Sequence, residues 1–213
     1  AGRRRTDACS AGAIAAGPRQ DGGVGNVARE IYVSTDVEAD GPIPGPHSLL
    51  SFGSVAMRAD GERLGEFAAN LLPLPGAAPH PRTMAWWEQH PEALAAARRD
   101  PEDPALVMPR YVAWLQGLPA RVVFVGQPAG YDFTWIYWYL MRFVGHSPFG
   151  HSALDAKTYA MAVLRRDYRD CVKRALPREW LPDVAHEHVA IADAREQAEV
   201  FARMLRANLG GSS

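Results

Sequence analysis

Apolar and polar positions divide the chain after residue 29 into short strands followed by amphipathic segments. Residues 31–37 are rich in β-branched and aromatic side chains, which predicts a first strand ending at the Gly/Pro cluster of residues 41–46. Residues 49–58 and 63–70 predict two more strands, because the Asp60-Gly61 pair between them is a hairpin signal. The first third of the chain is therefore expected to be mainly β-structure.

Helical patterns and one buried strand occupy the rest of the chain. The almost wholly apolar run 121–126 is typical of a strand that is covered on both faces. Thr83 is the expected N-cap of a first helix, and apolar spacing predicts further helices over residues 105–116, 132–145, 154–175 and 193–208. Strands first, then helices alternating with a strand, indicate an α/β fold with a mixed central β-sheet flanked by α-helices.

The two ends of the chain differ in composition from the segments between them. Residues 1–28 are mostly Ala, Gly, Arg, Ser and Asp, so they cannot bury enough apolar surface to offset the entropy of ordering. We therefore expect a disordered tail over residues 1–28, one domain over residues 29–209 and a disordered C-terminus over residues 210–213.

Charge, cysteine content and hydropathy exclude several classes of protein. The 23 basic and 24 acidic residues give a net charge of −1, which argues against coating nucleic acid or an anionic membrane by bulk charge. Two cysteines are too few for a disulfide framework or a cysteine-rich zinc site. The longest apolar run, residues 133–144, is too short to span a bilayer, and no signal peptide is present. A cytoplasmic protein without a membrane partner is expected.

Two acidic side chains, Asp36 and Glu38, stand at the end of the first predicted strand. Alternate residues of a strand point to the same face, so these carboxylates lie side by side and repel each other. A divalent metal would relieve that repulsion, and oxygen ligands favour Mg²⁺ or Mn²⁺. An exposed acidic pair at a strand end remains the alternative on this feature alone.

Later polar residues strengthen the metal interpretation. Asp132 follows the buried strand and opens a helix, which puts it at the carboxyl edge of the sheet, where ligands bind in open α/β folds. Helix N-capping is its alternative role. His188 and Asp193 would point about 140° apart on one helix. They converge only if His188 lies in the preceding loop and Asp193 in the first helical turn.

These motifs, in this order, resemble the DEDDh branch of the DnaQ-like 3'–5' exonucleases, which have a ribonuclease H-like fold. The resemblance implies that Asp36, Glu38, Asp132 and Asp193 bind two divalent metals, Mg²⁺ or Mn²⁺, and that His188 is the general base. The family usually has Asn four residues before the third carboxylate, where this chain has Pro128. The segment from Arg82 to Gln89 also resembles a Trp-Trp motif found in mycobacterial-type exoribonucleases and a phage exonuclease.

Weaker signals suggest residues that bind substrate, each with a structural alternative. Ala39, Asp40 and Gly41 would approach the terminal nucleotide by resemblance to the family, or form an ordinary turn. Of Trp86 and Trp87, one is expected in the core while the other stacks on a base. Tyr131 lies near the proposed metals within a largely core-forming aromatic group. The predicted helical face of Arg165, Arg169 and Lys173 would guide the phosphate backbone, or simply be solvated.

The resulting expectation is an exonuclease that releases nucleoside monophosphates from single-stranded or frayed RNA or DNA 3' ends. The Trp-Trp motif favours RNA slightly, by resemblance. A proofreading-type DNA exonuclease that works with a polymerase is one alternative, and a catalytically silent nucleic-acid-binding module is another. A homodimer also remains open at this stage.

Overall fold

A computed structural model describes residues 30–182 and 188–210. The expected tail over residues 1–28 and residues 211–213 of the expected disordered end lie outside these residues, whereas Gly210 is described and helical. The first strands are β1 (Glu30–Ala39), β2 (Leu49–Met57) and β3 (Arg63–Asn70), each within two residues of its prediction. The next elements are α1 (Pro81–Trp87), α2 (Pro91–Ala97), α3 (Pro104–Gln116), β4 (Arg121–Gly126), α4 (Ala129–Phe143), β5 (Ala153–Asp155), α5 (Ala156–Leu164) and α6 (Ala190–Gly210).

The strands form one mixed sheet in the order β3-β2-β1-β4-β5. Strands β1, β2 and β3 pair antiparallel, whereas β1, β4 and β5 run parallel. One face of the sheet is covered by α3 and α4 through side chains such as Tyr111 and Trp135. The other face is covered by α5 and α6 through side chains such as Ala160 and Phe201. The predicted α/β fold with a mixed, helix-flanked sheet is confirmed.

The helix predicted over residues 154–175 is confirmed only for residues 156–164. Residues 153–155 form the short edge strand β5, and Asp155 then caps α5 by accepting hydrogen bonds from the backbone and the hydroxyl of Thr158. Helix α5 ends at Leu164 because Arg165 takes a left-handed backbone, with φ of 52°. Three 3₁₀ turns follow, at Tyr168–Asp170, Lys173–Ala175 and Arg178–Trp180.

The starts of α1, α4 and α6 also differ from prediction, and α6 begins at Ala190, three residues before its predicted start. Thr83 is not an N-cap, because α1 begins at Pro81 and Pro is well suited to the first helical position. Helix α4 begins at Ala129, three residues before Asp132, so Asp132 lies in its first turn and does not cap it. Within the described residues, no helix is long and apolar enough to cross a bilayer.

Candidate active site

The acidic pair on β1 lies on the face of the sheet that α6 covers. The hydroxyl of Ser34, two residues before Asp36, donates to the carbonyl oxygen of Ala194 on α6, 3.0 Å away. Asp36 stands opposite Gly53 on β2. Because alternate strand residues share a face, Asp36 and Glu38 point toward the beginning of α6.

A glycine on β2 allows α6 to begin directly above the acidic pair. A β-carbon at Gly53 would lie 2.4 Å from Cα and 2.5 Å from N of Ile191, both backbone atoms. Such contacts are impossible, so only glycine admits the first turn of α6 at this distance. Asp193 belongs to that turn and is buried. The close approach therefore brings the carboxylate of Asp193 to the sheet.

Asp132 reaches the same end of the sheet from the first turn of α4. Its Oδ2 accepts a hydrogen bond from the backbone N–H of Gln127, at 3.2 Å. A β-carbon at Gly126 would come within 2.9 Å of that oxygen. The end of β4 thus holds a nearly buried carboxylate beside the acidic residues of β1.

His188 completes the group and lies in the loop immediately before α6, as the spacing required. One of its ring nitrogens and carboxylate oxygens of Glu38 and Asp193 all lie within 4.8 Å of one another. Its backbone is left-handed, with φ of 51°. The structure therefore brings together the carboxylates and the histidine that the sequence singled out.

The carboxylates raise one another's pKa values. Burial is the main cause for Asp36, whose pKa lies well above its usual range, and the charges of Asp132, Glu38 and Asp193 add to it. Burial, Asp193 and Asp132 raise the pKa of Glu38 to about 8. Burial also raises the pKa of Asp132 to about 8, although the hydrogen bond from Gln127 opposes the shift. Ionisation of all four carboxylates at this site is therefore unfavourable unless cations bind between them.

Lys173 supplies one positive charge to this neighbourhood. Its ammonium group is 2.5 Å from the carboxylate of Glu196 on α6, and its charge lowers the pKa of Asp36. The predicted helical face of Arg165, Arg169 and Lys173 is wrong, because α5 ends at Leu164. Arg165 and Arg169 are exposed on the turns that follow.

A buried amide ties α6 to the two central strands. Gln197, one turn after Asp193, donates from Nε2 to the hydroxyl of Ser34 at 2.8 Å and to the carbonyl oxygens of Thr35 and Val125 at 3.3 and 3.1 Å. Sequence reasoning missed this residue, although its position four residues after Asp193 places it on the same helix face.

The loop after β1 is held by contacts within the protein. Asp40 is buried and its carboxylate accepts from the backbone N–H of Ser48 at 2.6 Å. A β-carbon at Gly41 would meet the ring of His47 at 2.1 Å. These contacts give Asp40 and Gly41 structural roles in the loop. The loop still borders the acidic site, because it follows Ala39, the neighbour of Glu38.

The tryptophan pair divides between the core and the surface. Trp87 is buried, and its indole N–H donates to the carbonyl oxygen of Ala39 at 3.0 Å. Trp86 is 38% exposed, stacks on His90 and meets the ring of His188 edge-on. Tyr131 is partly exposed, and its hydroxyl donates to the carbonyl oxygen of Gly41 at 3.1 Å.

Pro128 stands where the resembling family has Asn. It precedes α4 without a side-chain capping bond, and the N–H of the next residue, Ala129, donates to the carboxylate of Asp155 at 3.0 Å. The same carboxyl group caps α5. Asp155 and the backbone of Gln127 therefore order the turn that carries Asp132.

Comparison with known proteins agrees with this geometry. No family model matches the chain. The 3'-5' DNA exonuclease Cap18 of Escherichia coli is 32% identical over 176 residues, which cover 81% of this chain and 90% of Cap18. The chain belongs to the family of 3'–5' exonucleases that includes Cap18.

Solved structures agree with the fold of this family. The nuclease domain of 3'hExo, a DEDDh family member bound to rAMP, has a TM-score of 0.65 at 11% identity, covering 84% of this chain and 94% of that domain. Pop2p of S. pombe, in a Mg²⁺- and Mn²⁺-bound form, has a TM-score of 0.62 at 14% identity, covering 85% of both chains. The ribonuclease H-like fold expected from the sequence is thereby confirmed, and the protein is a nuclease.

Proposed function

We propose that this DEDDh exonuclease uses two divalent cations to remove nucleoside monophosphates from single-stranded or frayed 3' ends. The observation that carries the proposal is the convergence of acidic side chains from β1, α4 and α6 with His188 at one end of the sheet. No single element supplies this set, so its assembly depends on the whole fold.

The side chains present fit hard divalent cations. All four acidic residues offer oxygen ligands, which suit Mg²⁺ or Mn²⁺, and the raised pKa values of Asp36, Glu38 and Asp132 mark a site with an excess of negative charge. We propose Asp36, Glu38, Asp132 and Asp193 as the ligands. Bound cations would activate water and stabilise the charge that develops on the phosphate and the leaving oxygen.

His188 is proposed to accept the proton of the attacking water. An oxygen–phosphorus bond forms as the bond from phosphorus to the 3' oxygen of the preceding nucleotide breaks. The departing 3' oxygen takes up a proton from solvent, and His188 later releases its proton to solvent. The products are therefore a nucleoside monophosphate and a strand shortened by one nucleotide with a free 3' hydroxyl. A general base must lie near the reacting water, and the ring of His188 lies beside two of the proposed ligands.

Residues around this site are proposed to hold the 3' end. Ala39 ends β1 and Asp40 and Gly41 follow it, and the hydroxyl of Tyr131 donates to the carbonyl oxygen of Gly41. The partly exposed ring of Trp86 is the alternative platform for a base. Arg165 and Arg169 remain proposed phosphate contacts as exposed cations, although no helix aligns them with Lys173.

Two observations bear on whether the substrate is DNA or RNA, and they favour different answers. The name of Cap18, a DNA exonuclease at 32% identity, favours DNA for this chain. The Trp86-Trp87 motif is the sequence feature that favours RNA. Since Cap18 matches over most of the chain and the motif covers a few residues, we propose DNA as the substrate and RNA as the second candidate. Association with a polymerase stays a prediction.

Degradation of 5'-labelled single-stranded DNA and RNA of one sequence tests the proposal. A ladder shortening from the 3' end is expected with Mg²⁺ or Mn²⁺ and none with a chelator. The replacement His188→Ala should lower turnover by roughly 10²–10⁴-fold and remove the loss of rate at low pH. Chelator-resistant degradation would contradict the metal proposal, and absent degradation of both substrates would favour the silent binding module.

A further inference from the structure

The ring of His188 is packed by aromatic side chains from a distant segment. The centroid of Trp86 lies 5.0 Å from that of His188, with the planes at 89°, and the centroid of His90 lies 4.8 Å away at 73°. Trp86 and His90 also stack on each other at 4.3 Å and 28°. The three rings form a closed triangle, which we call the aromatic triangle.

The triangle is fixed to the acidic end of β1. Trp87, next to Trp86, is buried and its indole donates to the carbonyl oxygen of Ala39, the neighbour of Glu38. The ring of His90 is held by a contact of 3.1 Å between its Nδ1 and the carbonyl oxygen of Trp86. Trp86 and His90 therefore belong to a segment whose position is set by the strand that carries two proposed metal ligands.

His188 itself needs such support. Its positive φ is uncommon for a residue other than glycine and persists only where surrounding contacts hold it. An imidazole before a helix also rotates about two side-chain bonds, and proton transfer requires one orientation of its nitrogen. Ring contacts from two directions restrict this rotation.

We propose that Trp86 and His90 are positioning residues that keep the imidazole of His188 directed at the reacting water. This inference rests on the proposed function, in which His188 is the general base. The competing role for Trp86 is a platform for a nucleotide base, because its ring is partly exposed. The two roles differ in what they change: positioning acts on turnover through His188, whereas a platform acts on substrate affinity.

A double-mutant cycle distinguishes them. Trp86→Leu and His90→Leu are each made in the wild type and in His188→Ala, and kcat and KM are measured with Mg²⁺ on a single-stranded DNA oligonucleotide and its RNA counterpart. Each single replacement should lower kcat about tenfold with KM within about twofold. In the His188→Ala background the same replacements should cost nothing further, since the group they position is gone.

Two matched variants separate positioning from damage to the fold. His90→Phe keeps the ring contact without a titrating group, so it should restore kcat to within about threefold of wild type. His146→Leu, on the exposed loop after α4, should leave kcat unchanged. The proton resonances of the His188 ring, assigned with His188→Ala, should shift in Trp86→Leu and not in His146→Leu, which tests the contact independently of activity.

Several results would overturn the inference. Equal losses in both backgrounds would mean that Trp86 and His90 act independently of His188. A rise in KM with unchanged kcat would assign Trp86 to base stacking, and unshifted His188 resonances would refute the contact. If His188→Ala alone kept normal turnover, the general base of the proposed function would be wrong, an outcome distinct from failure of the cycle.

Discussion

A single β-carbon at Gly53 should misplace one of the proposed metal ligands. In Gly53→Ala the new carbon would stand 2.4 Å from Cα of Ile191, whereas ordinary contact begins at 3.4 Å. The obstacle is backbone, so the first turn of α6 must withdraw by about 1 Å, and Asp193 moves with it. A displacement of that size in a catalytic group costs about 10²-fold in rate, and the forced packing costs about 1–3 kcal/mol of stability.

Turnover under saturating Mg²⁺ and thermal unfolding measure the two effects. Gly65→Ala is the matched control, because it is also a strand glycine and its β-carbon would meet only the indole nitrogen of Trp114 at an ordinary 3.5 Å. We expect Gly53→Ala to lose about 10²-fold in kcat and Gly65→Ala to stay within about twofold. Near-normal kcat and an unchanged melting temperature in Gly53→Ala would refute the role assigned to this close approach.

Three further predictions concern charge and packing in the site. Asp36→Asn should lower kcat by several orders of magnitude while the metal-free protein melts at an equal or higher temperature, since carboxylate repulsion is relieved; a clear loss of metal-free stability would contradict this. With a chelator present, the melting temperature should fall as pH rises from about 4 to about 8, because the folded state keeps protons on Glu38 and Asp132 that the unfolded chain releases. With Mg²⁺ added, the melting temperature should depend much less on pH. A metal-free melting temperature that rises across this pH range would contradict the prediction. Gln197→Met should cost about 1–3 kcal/mol in denaturant unfolding, since the acceptors it satisfies on β1 and β4 stay buried, and an unchanged midpoint would disprove its bridging role.

The fold could be predicted wherever local patterns were strong. β-Branched and aromatic residues and a hairpin signal located β1 to β3, and an almost wholly apolar run located β4. The pattern failed for β5, which has three residues, and for α2, which has seven residues and begins at a proline. The helix predicted over residues 154–175 was wrong beyond residue 164, because the helical spacing of Arg165, Arg169 and Lys173 says nothing about a left-handed residue that ends the helix.

The sequence could predict that the proposed metal ligands and His188 meet, but it could not predict the contacts that support them. Asp36, Glu38, Asp132, His188 and Asp193 stand at strand or helix ends, and such ends gather at one sheet edge. By contrast, the contact of Trp86 with His188 and the bonds from Gln197 to β1 and β4 join segments far apart in sequence. No local pattern encodes them, since they depend on how α1 and α6 dock.

The position of α6 along the chain has a consequence during protein synthesis. Helix α6 carries Asp193 and covers one face of the sheet, and it follows every other element of the described chain. A nascent polypeptide that has emerged only as far as α5 lacks Asp193, which is a proposed metal ligand, and His188, which is the proposed general base. It also lacks the helix that covers that face. Because synthesis proceeds from the N-terminus, the proposed catalytic site is still incomplete while the nascent chain is close to the messenger RNA and ribosomal RNA.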